Sequence, residues 1–151
     1  DVLMKKVLFV CTGNTCRSSM AEALFKDILK NRAIDDIEVG SAGIFALEGD
    51  KASDEAIEVL KADGIDLSRH RARLLNGQLL LDIDLVLTMT MVHKETVLRK
   101  FPRMKGKVYT VKEYAYGKDG DISDPYGMGL RAYEVAKDEI LQALKAIADK
   151  I

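Results

Sequence analysis

The 151-residue chain has no tryptophan, and only two residues each of proline, histidine and cysteine. Two cysteines are too few for a secreted disulfide scaffold. They stand five positions apart, at Cys11 and Cys16, which suits reactive thiols in a reducing compartment. The two histidines, His70 and His93, are far apart and make no metal-ligand spacing, so neither a metal nor another cofactor is expected. No apolar run approaches the length of a membrane span, and no basic-then-apolar leader opens the sequence. A cytoplasmic protein without membrane contact is therefore expected. A net charge of −1 gives no general reason to expect binding to nucleic acid or to anionic lipid. Internal repeats and low-complexity segments are also missing.

What remains is ordinary for a globular chain: 48% hydrophobic and 31% charged residues. The length fits one domain, residues 1–151, with a core of its own. Residues 1–4 read as a short overhang. Residues 5–10 are apolar with β-branched character and read as a buried strand. A glycine-containing polar loop follows, then helical spacing over 20–30, with Ser18 and Ser19 as candidate N-caps. A second strand, 37–39, runs into the small-residue turn 40–43. Ser53 opens a helix that ends near Gly64. Residues 85–89 read as a strand, and 92–100 as a helix stopped before Pro102. Residues 107–110 form a fourth strand, 117–129 a loop, and 130–151 a closing helix. Strands alternating with helices predict an α/β fold: one four-stranded parallel sheet flanked by helices, joined by right-handed crossovers. Ligands in such sheets bind beyond the carboxyl ends of the strands. The loops after the first and fourth strands are expected there.

The first of these loops, Cys11-Thr12-Gly13-Asn14-Thr15-Cys16-Arg17-Ser18, joins a strand to a helix N-terminus. Successive backbone N–H groups in that setting can cradle an oxyanion. Gly13 allows backbone dihedrals that a side chain would forbid, and Arg17 can grip two phosphate oxygens at once. Such an anion site favours the thiolate form of a thiol facing it, so Cys11 is expected to be a nucleophile aimed at phosphorus. A cysteine and an arginine six positions apart also occur by chance. The preceding strand, the following helix, the glycine and the serine after the arginine set this pair apart. The loop lacks the Gly-Lys-Ser/Thr of a nucleoside-triphosphate loop.

Phosphate transfer from a poor leaving group needs a general acid. Asp124, in Asp124-Pro125-Tyr126-Gly127, is the best candidate, with Tyr126 placed to wall the pocket mouth. Asp119 and Asp121 read as solvated loop aspartates. A calcium loop starting at Asp119 fails for want of its glycine and final glutamate.

Together these residues resemble the low-molecular-weight protein tyrosine phosphatase family over nearly the whole chain. The cysteine loop, Ser41-Ala42-Gly43, His70-Arg71-Ala72-Arg73 and the late Asp-Pro-Tyr carry the likeness. The resemblance implies that Cys11 forms a phosphoenzyme and Arg17 stabilises the transition state. It implies that Asp124 protonates the leaving group and later activates water. It also implies phosphate binding by Thr12, Gly13, Asn14, Thr15, Cys16 and Ser18. A network of Asn14, Ser18, Ser41 and His70 would hold the loop, Ser18 would hydrogen-bond the Cys11 thiolate, and Cys16 would trap oxidised Cys11 as a reversible disulfide. Without the resemblance, His70 reads as a surface histidine and Cys16 as a small buried residue. Phosphorylated proteins are the implied partners, and a monomer is expected.

Two positions depart from the usual family pattern. Ser19 stands where proline is common, a place where proline would suit the first helical turn. Thr15 stands where the tyrosine-specific members usually hold isoleucine or leucine. Cys-Thr-Gly-Asn-Thr-Cys-Arg-Ser looks like the bacterial protein arginine phosphatases of the same family. Thr88-Met89-Thr90 and Lys112-Glu113-Tyr114 look like that subgroup more weakly. Phosphoarginine is therefore the expected substrate, with phosphotyrosine as the alternative. A thioredoxin-coupled arsenate reductase shares the cysteine loop but needs further cysteines downstream, and none follows Cys16. A phosphate-binding module without catalysis would need neither Cys11 nor Asp124.

Overall fold

The strands are where the apolar runs put them, except that the second continues through residues 40–43, expected as a turn. A computed structural model describes residues 5–151; the expected overhang at residues 1–4 lies outside the described residues. The elements are β1 (Lys5–Cys11), α1 (Arg17–Asn31), β2 (Ile37–Gly43), α2 (Asp54–Lys61), β3 (Leu85–Thr88), α3 (Met91–Lys100), β4 (Val108–Thr110), α4 (Val111–Tyr116) and α5 (Leu130–Ala148). All four strands are parallel, in the order β2-β1-β3-β4. β1 is thus central, and its carboxyl end lies where the connections diverge to either side, the usual ligand crevice of open α/β sheets.

Strand alternation builds two cores. Val7, Phe9 and Cys11 point into a layer with α1, α2 and α5, where Met20, Phe25, Leu60, Ile140 and Leu144 are buried. Leu8 and Val10 point the other way, onto Val97 of α3, Leu75, Leu80 and Met104. In α5, Tyr133, Ala136, Ile140, Ala143, Leu144 and Ile147 recur at helical spacing and form its buried stripe.

Several boundaries differ from the sequence reading. The helix α1 begins at Arg17, inside the loop motif, with Cys16 as its N-cap and no side chain capping it. Ser18 and Ser19 are not the caps: both are buried in the first turn, where Ser19 Oγ bonds back to Cys16 O at 2.8 Å. Ser53 does cap α2, accepting from Ala56 N, and Gly64 adopts a left-handed φ of 78° just beyond it. The short helix α4 was not anticipated. Its signal is Thr110-x-x-Glu113, which closes a capping box. The aspartate loop therefore follows α4 rather than β4 directly. α5 stops at Ala148, three residues short of the chain end expected for it.

Candidate active site

The loop from Cys11 to Ser18 is held from outside by its own carbonyls. Cys11 O accepts from Ile44 N and Thr12 O from Phe45 N, both at 2.9 Å. Asn14 O is 2.7 Å from His70 Nε2, Thr15 O accepts from Ser53 N at 2.9 Å, and Cys16 O from Met20 N at 3.0 Å. In a planar trans peptide, turning C=O outward turns the N–H of the same unit inward. The N–H groups of Thr12, Gly13, Thr15, Cys16 and Arg17 therefore converge on the loop centre, at the open N-terminus of α1, as a cradle for an oxyanion. Gly43 makes the approach of β2 possible. A Cβ there would lie 2.6 Å from Thr12 O and 2.9 Å from Asn14 N.

Asn14 is the keystone of the curve. It has φ 58°, a left-handed conformation that asparagine tolerates better than most residues; Gly13, expected to supply the unusual backbone, is outside the left-handed region, and a Cβ there would meet only Thr15 Oγ1 at 3.6 Å. Asn14 is fully buried. Its Oδ1 accepts from Arg73 N at 3.0 Å and its Nδ2 donates to Ser18 Oγ at 2.8 Å. His70, half-buried, donates from Nε2 to the Asn14 carbonyl, which fixes its tautomer. Ser41 enters the network differently from the expectation. Its hydroxyl donates to Glu22 and does not reach the loop. Its carbonyl accepts from Arg73 Nε at 3.2 Å, so it supports Arg73, which in turn holds Asn14. A serine hydroxyl has one proton, and the Glu22 carboxylate on α1 claims it.

Inside the loop, Cys11 Sγ has two polar neighbours: Ser18 Oγ at 2.8 Å and Asn14 N at 3.3 Å. Arg17 is buried, with Nη1 donating to Ile122 O at 2.9 Å and Nη2 3.6 Å from Asp124 Oδ2. Asp124 is exposed, and its Oδ1 accepts from Tyr126 N at 3.1 Å. A cavity of about 270 Å³ is lined by Cys11, Thr12, Gly13, Thr15, Cys16, Arg17, Asp124 and Tyr126. Most of the residues singled out for chemistry thus share one pocket, with Tyr126 exposed; Asn14 and Ser18, also expected to bind phosphate, are fully buried and do not line it. A larger cleft of about 900 Å³ along β2 and Arg73 holds neither Cys11 nor Asp124.

The loop carrying Asp124 is docked by its neighbours. Ile122 N donates to Met89 O at 2.9 Å, and Ser123 Oγ to Glu139 Oε2 at 2.5 Å. Asp121 is not merely solvated: its Oδ1 accepts from Met91 N at 2.9 Å at the start of α3.

Cys16 is buried, its thiol 3.2 Å from Tyr133 Oη and 3.7 Å from Ser53 Oγ. Burial, and then the Cys16 hydrogen bond, push the Tyr133 phenol well above its usual range, so it stays neutral. His93 was set aside in the sequence because it fits no metal spacing, yet it is buried with Nε2 2.9 Å from Thr12 Oγ1. Its Nδ1 has no partner among the described residues. A buried lone pair without a partner is better tolerated than a buried N–H, so His93 donates from Nε2 to Thr12. Burial, reinforced by the charge of Arg17, lowers its pKa to about 4. Nothing in the local sequence marks Tyr133 or Glu22 for this site, since each arrives by tertiary packing; Arg73 stands in the motif His70-Arg71-Ala72-Arg73, but the sequence reading gives it no role.

A parallel sheet with a cysteine–arginine anion loop at the carboxyl end of its central strand, and an aspartate across the mouth, defines a cysteine-dependent phosphatase. The model of the family described as low molecular weight phosphotyrosine protein phosphatase matches residues 6–151, and the chain belongs to that family. It is 43% identical to a protein-arginine-phosphatase of Geobacillus stearothermophilus, over 97% of this chain and 95% of the other. Among solved structures, a cysteine-to-serine mutant of the arginine phosphatase YwlE with a phosphorylated active site serine superposes with TM-score 0.93 at 41% identity, covering 96% and 94% of the two chains. A low molecular weight protein tyrosine phosphatase from T. tengcongensis superposes with TM-score 0.92 at 45% identity, covering 97% and 99%. The protein is accordingly an enzyme, a protein phosphatase that acts on phosphorylated proteins. No helix among the described residues is long and apolar enough to cross a membrane.

Proposed function

We propose that this enzyme removes phosphate from phosphoarginine in proteins, through a phosphocysteine on Cys11. The observation that carries the substrate is Thr15, which lines the catalytic pocket beside Asp124. Phosphoarginine presents a planar, polar guanidinium just beyond the phosphorus. A hydroxyl can hydrogen-bond to it, and Asp124 can donate its proton to the bridging nitrogen and then pair as carboxylate with the guanidinium so formed. An aliphatic residue at this place would instead offer a surface to a phenol ring. The likeness of Thr88-Met89-Thr90 and Lys112-Glu113-Tyr114 to the arginine subgroup adds little, because Thr90 caps α3 and Thr110 with Glu113 caps α4.

In the first step Cys11 Sγ attacks phosphorus, the P–N bond breaks, and Asp124 gives its proton to the departing guanidine nitrogen. The loop amides and Arg17 hold the equatorial oxygens as charge spreads onto them. In the second step Asp124 takes a proton from water, the water oxygen attacks phosphorus, and the S–P bond breaks. Ser18 and the Asn14 amide receive the returning thiolate. The free thiols of Cys11 and Cys16 suit a reducing cytoplasm, and we read the enzyme as a monomer of one domain there.

The competing reading, a phosphotyrosine substrate, is favoured by exposed Tyr126 at the pocket edge, onto which a phenol ring could stack. A rapid-quench experiment with a phosphoarginyl protein tests the proposal. Labelled phosphate is expected on Cys11 within one turnover. Cys11→Ser is expected to accumulate phosphoserine without turnover, because a serine alkoxide is a far poorer leaving group than a thiolate. Phosphoarginine turnover by Cys11→Ser at a substantial fraction of the wild-type rate would exclude the mechanism.

A further inference from the structure

A second cavity, about 470 Å³, opens beside the catalytic pocket and shares Thr12, Arg17 and Asp124 with it. Its remaining wall is largely apolar. Ile44 is buried at its base, while Phe45 and Val92 are 70% and 67% exposed. Side chains of that size left so open are usual at contact surfaces when they cluster around a cavity. Phe45 is also held in place: its backbone N–H is bonded to Thr12 O, and Lys100 Nζ sits 5.1 Å from its ring centroid. The apolar wall is therefore fixed to the phosphate loop itself, by the residue that also frames the cradle. Asp121, Ser123 and Asp124 also line it, and Asp121 is tied to Met91 N.

We infer that this cavity is a subsite for an aliphatic or aromatic residue next to the phosphorylated residue of the substrate polypeptide. The inference rests on the phosphatase reading and deepens it. A polypeptide whose phosphoryl group lies in the loop must carry its neighbouring residues across the shared rim of Thr12 and Asp124. Beyond that shared rim the cavity offers the apolar patch of Ile44, Phe45 and Val92. Asp121 and Asp124 line the cavity against the single cation Arg17, which disfavours an acidic neighbour. Filling the cavity with an apolar side chain removes two large exposed hydrophobics from water.

The test uses two peptide series, one phosphoarginyl and one phosphotyrosyl, in which the flanking residues are leucine, phenylalanine, glycine, lysine or glutamate. Each kcat/KM is divided by the same enzyme's rate on p-nitrophenyl phosphate, which has no flanking residues. Leucine and phenylalanine are expected to exceed glycine by roughly ten-fold and glutamate by more, a scale set by one apolar side chain in a pocket. The preference should collapse in Phe45→Ser and in Val92→Ser, both exposed positions whose replacement spares the core. Equal rates for all neighbours, a preference for lysine, or a preference that survives both substitutions would overturn the inference. Because the ranking is read within each series, it stands or falls separately from the choice between phosphoarginine and phosphotyrosine.

Discussion

Ser18 Oγ lies 2.8 Å from Cys11 Sγ, and the same oxygen accepts a hydrogen bond from Asn14 Nδ2 at 2.8 Å. With its acceptor side occupied by the amide, the hydroxyl proton is aimed at sulfur. The relay helps most when sulfur is negative, both before attack and as the thiolate leaves the phosphoenzyme. A hydrogen bond to a charged group is worth roughly 1.5–3 kcal/mol, so Ser18→Ala should lower kcat by about ten- to a hundred-fold. The loss should fall mainly on hydrolysis of the intermediate, and stopped-flow measurements should show a burst larger than in wild type. An unchanged kcat would remove Ser18 from the chemistry.

Asn14 should matter to stability as well as to rate. Asn14→Ala removes both side-chain bonds and leaves a Cβ residue at φ 58°. Unmet buried partners and the left-handed backbone together predict a loss of about 2–4 kcal/mol. Asn14→Gly loses the same bonds but not the conformational fit, so it should be less destabilised than the alanine variant in urea denaturation. Alanine equal to or better than glycine would mean that the backbone geometry of the loop carries no cost.

His93 predicts a pH dependence. Burial lowers its pKa from 6.5 to about 4 in the folded protein. The unfolded chain therefore binds the proton first as pH falls. Stability from this group is complete above about 6.5, declines between 6.5 and 4, and is gone below. After allowance for screening by solvent, the decline is on the order of 1–2 kcal/mol. Thermal melts of wild type and His93→Gln should differ by a constant amount above pH 6.5, and wild type should lose stability relative to His93→Gln as pH falls from 6.5 to 4. A difference independent of pH over that window would place the charged imidazole in the fold without penalty.

The sheet was legible because its strands are short apolar runs bounded by turns, and the cysteine loop because its residue types have few other uses together. The start of α1 was misread: Ser18 and Ser19 look like caps, but the helix keeps its first N–H groups for the cradle, so the serines fall inside it. α4 was overlooked although Thr110 and Glu113 carry a capping box, since six residues make little periodicity. Ser41 could be assigned to the neighbourhood of the loop, but its partner Glu22 stands 19 positions away on α1. His93 reaches Thr12 across 81 positions. Contacts of that span depend on how β3 and α3 pack beside β1, which no local pattern records.

The most direct test of the central claim compares kcat/KM for a phosphoarginyl and a phosphotyrosyl peptide in wild type and in Thr15→Ile. Thr15 lies in the pocket with Cys11, Arg17 and Asp124. Isoleucine removes its hydroxyl and places apolar bulk where the guanidinium would sit. Changes of this kind alter discrimination by about ten- to a hundred-fold, and by more where a polar partner is left unpaired. Wild type is expected to prefer phosphoarginine, and Thr15→Ile to shift the ratio toward phosphotyrosine by at least about ten-fold. A wild-type preference for phosphotyrosine, with a ratio that Thr15→Ile leaves unchanged, would contradict the phosphoarginine assignment.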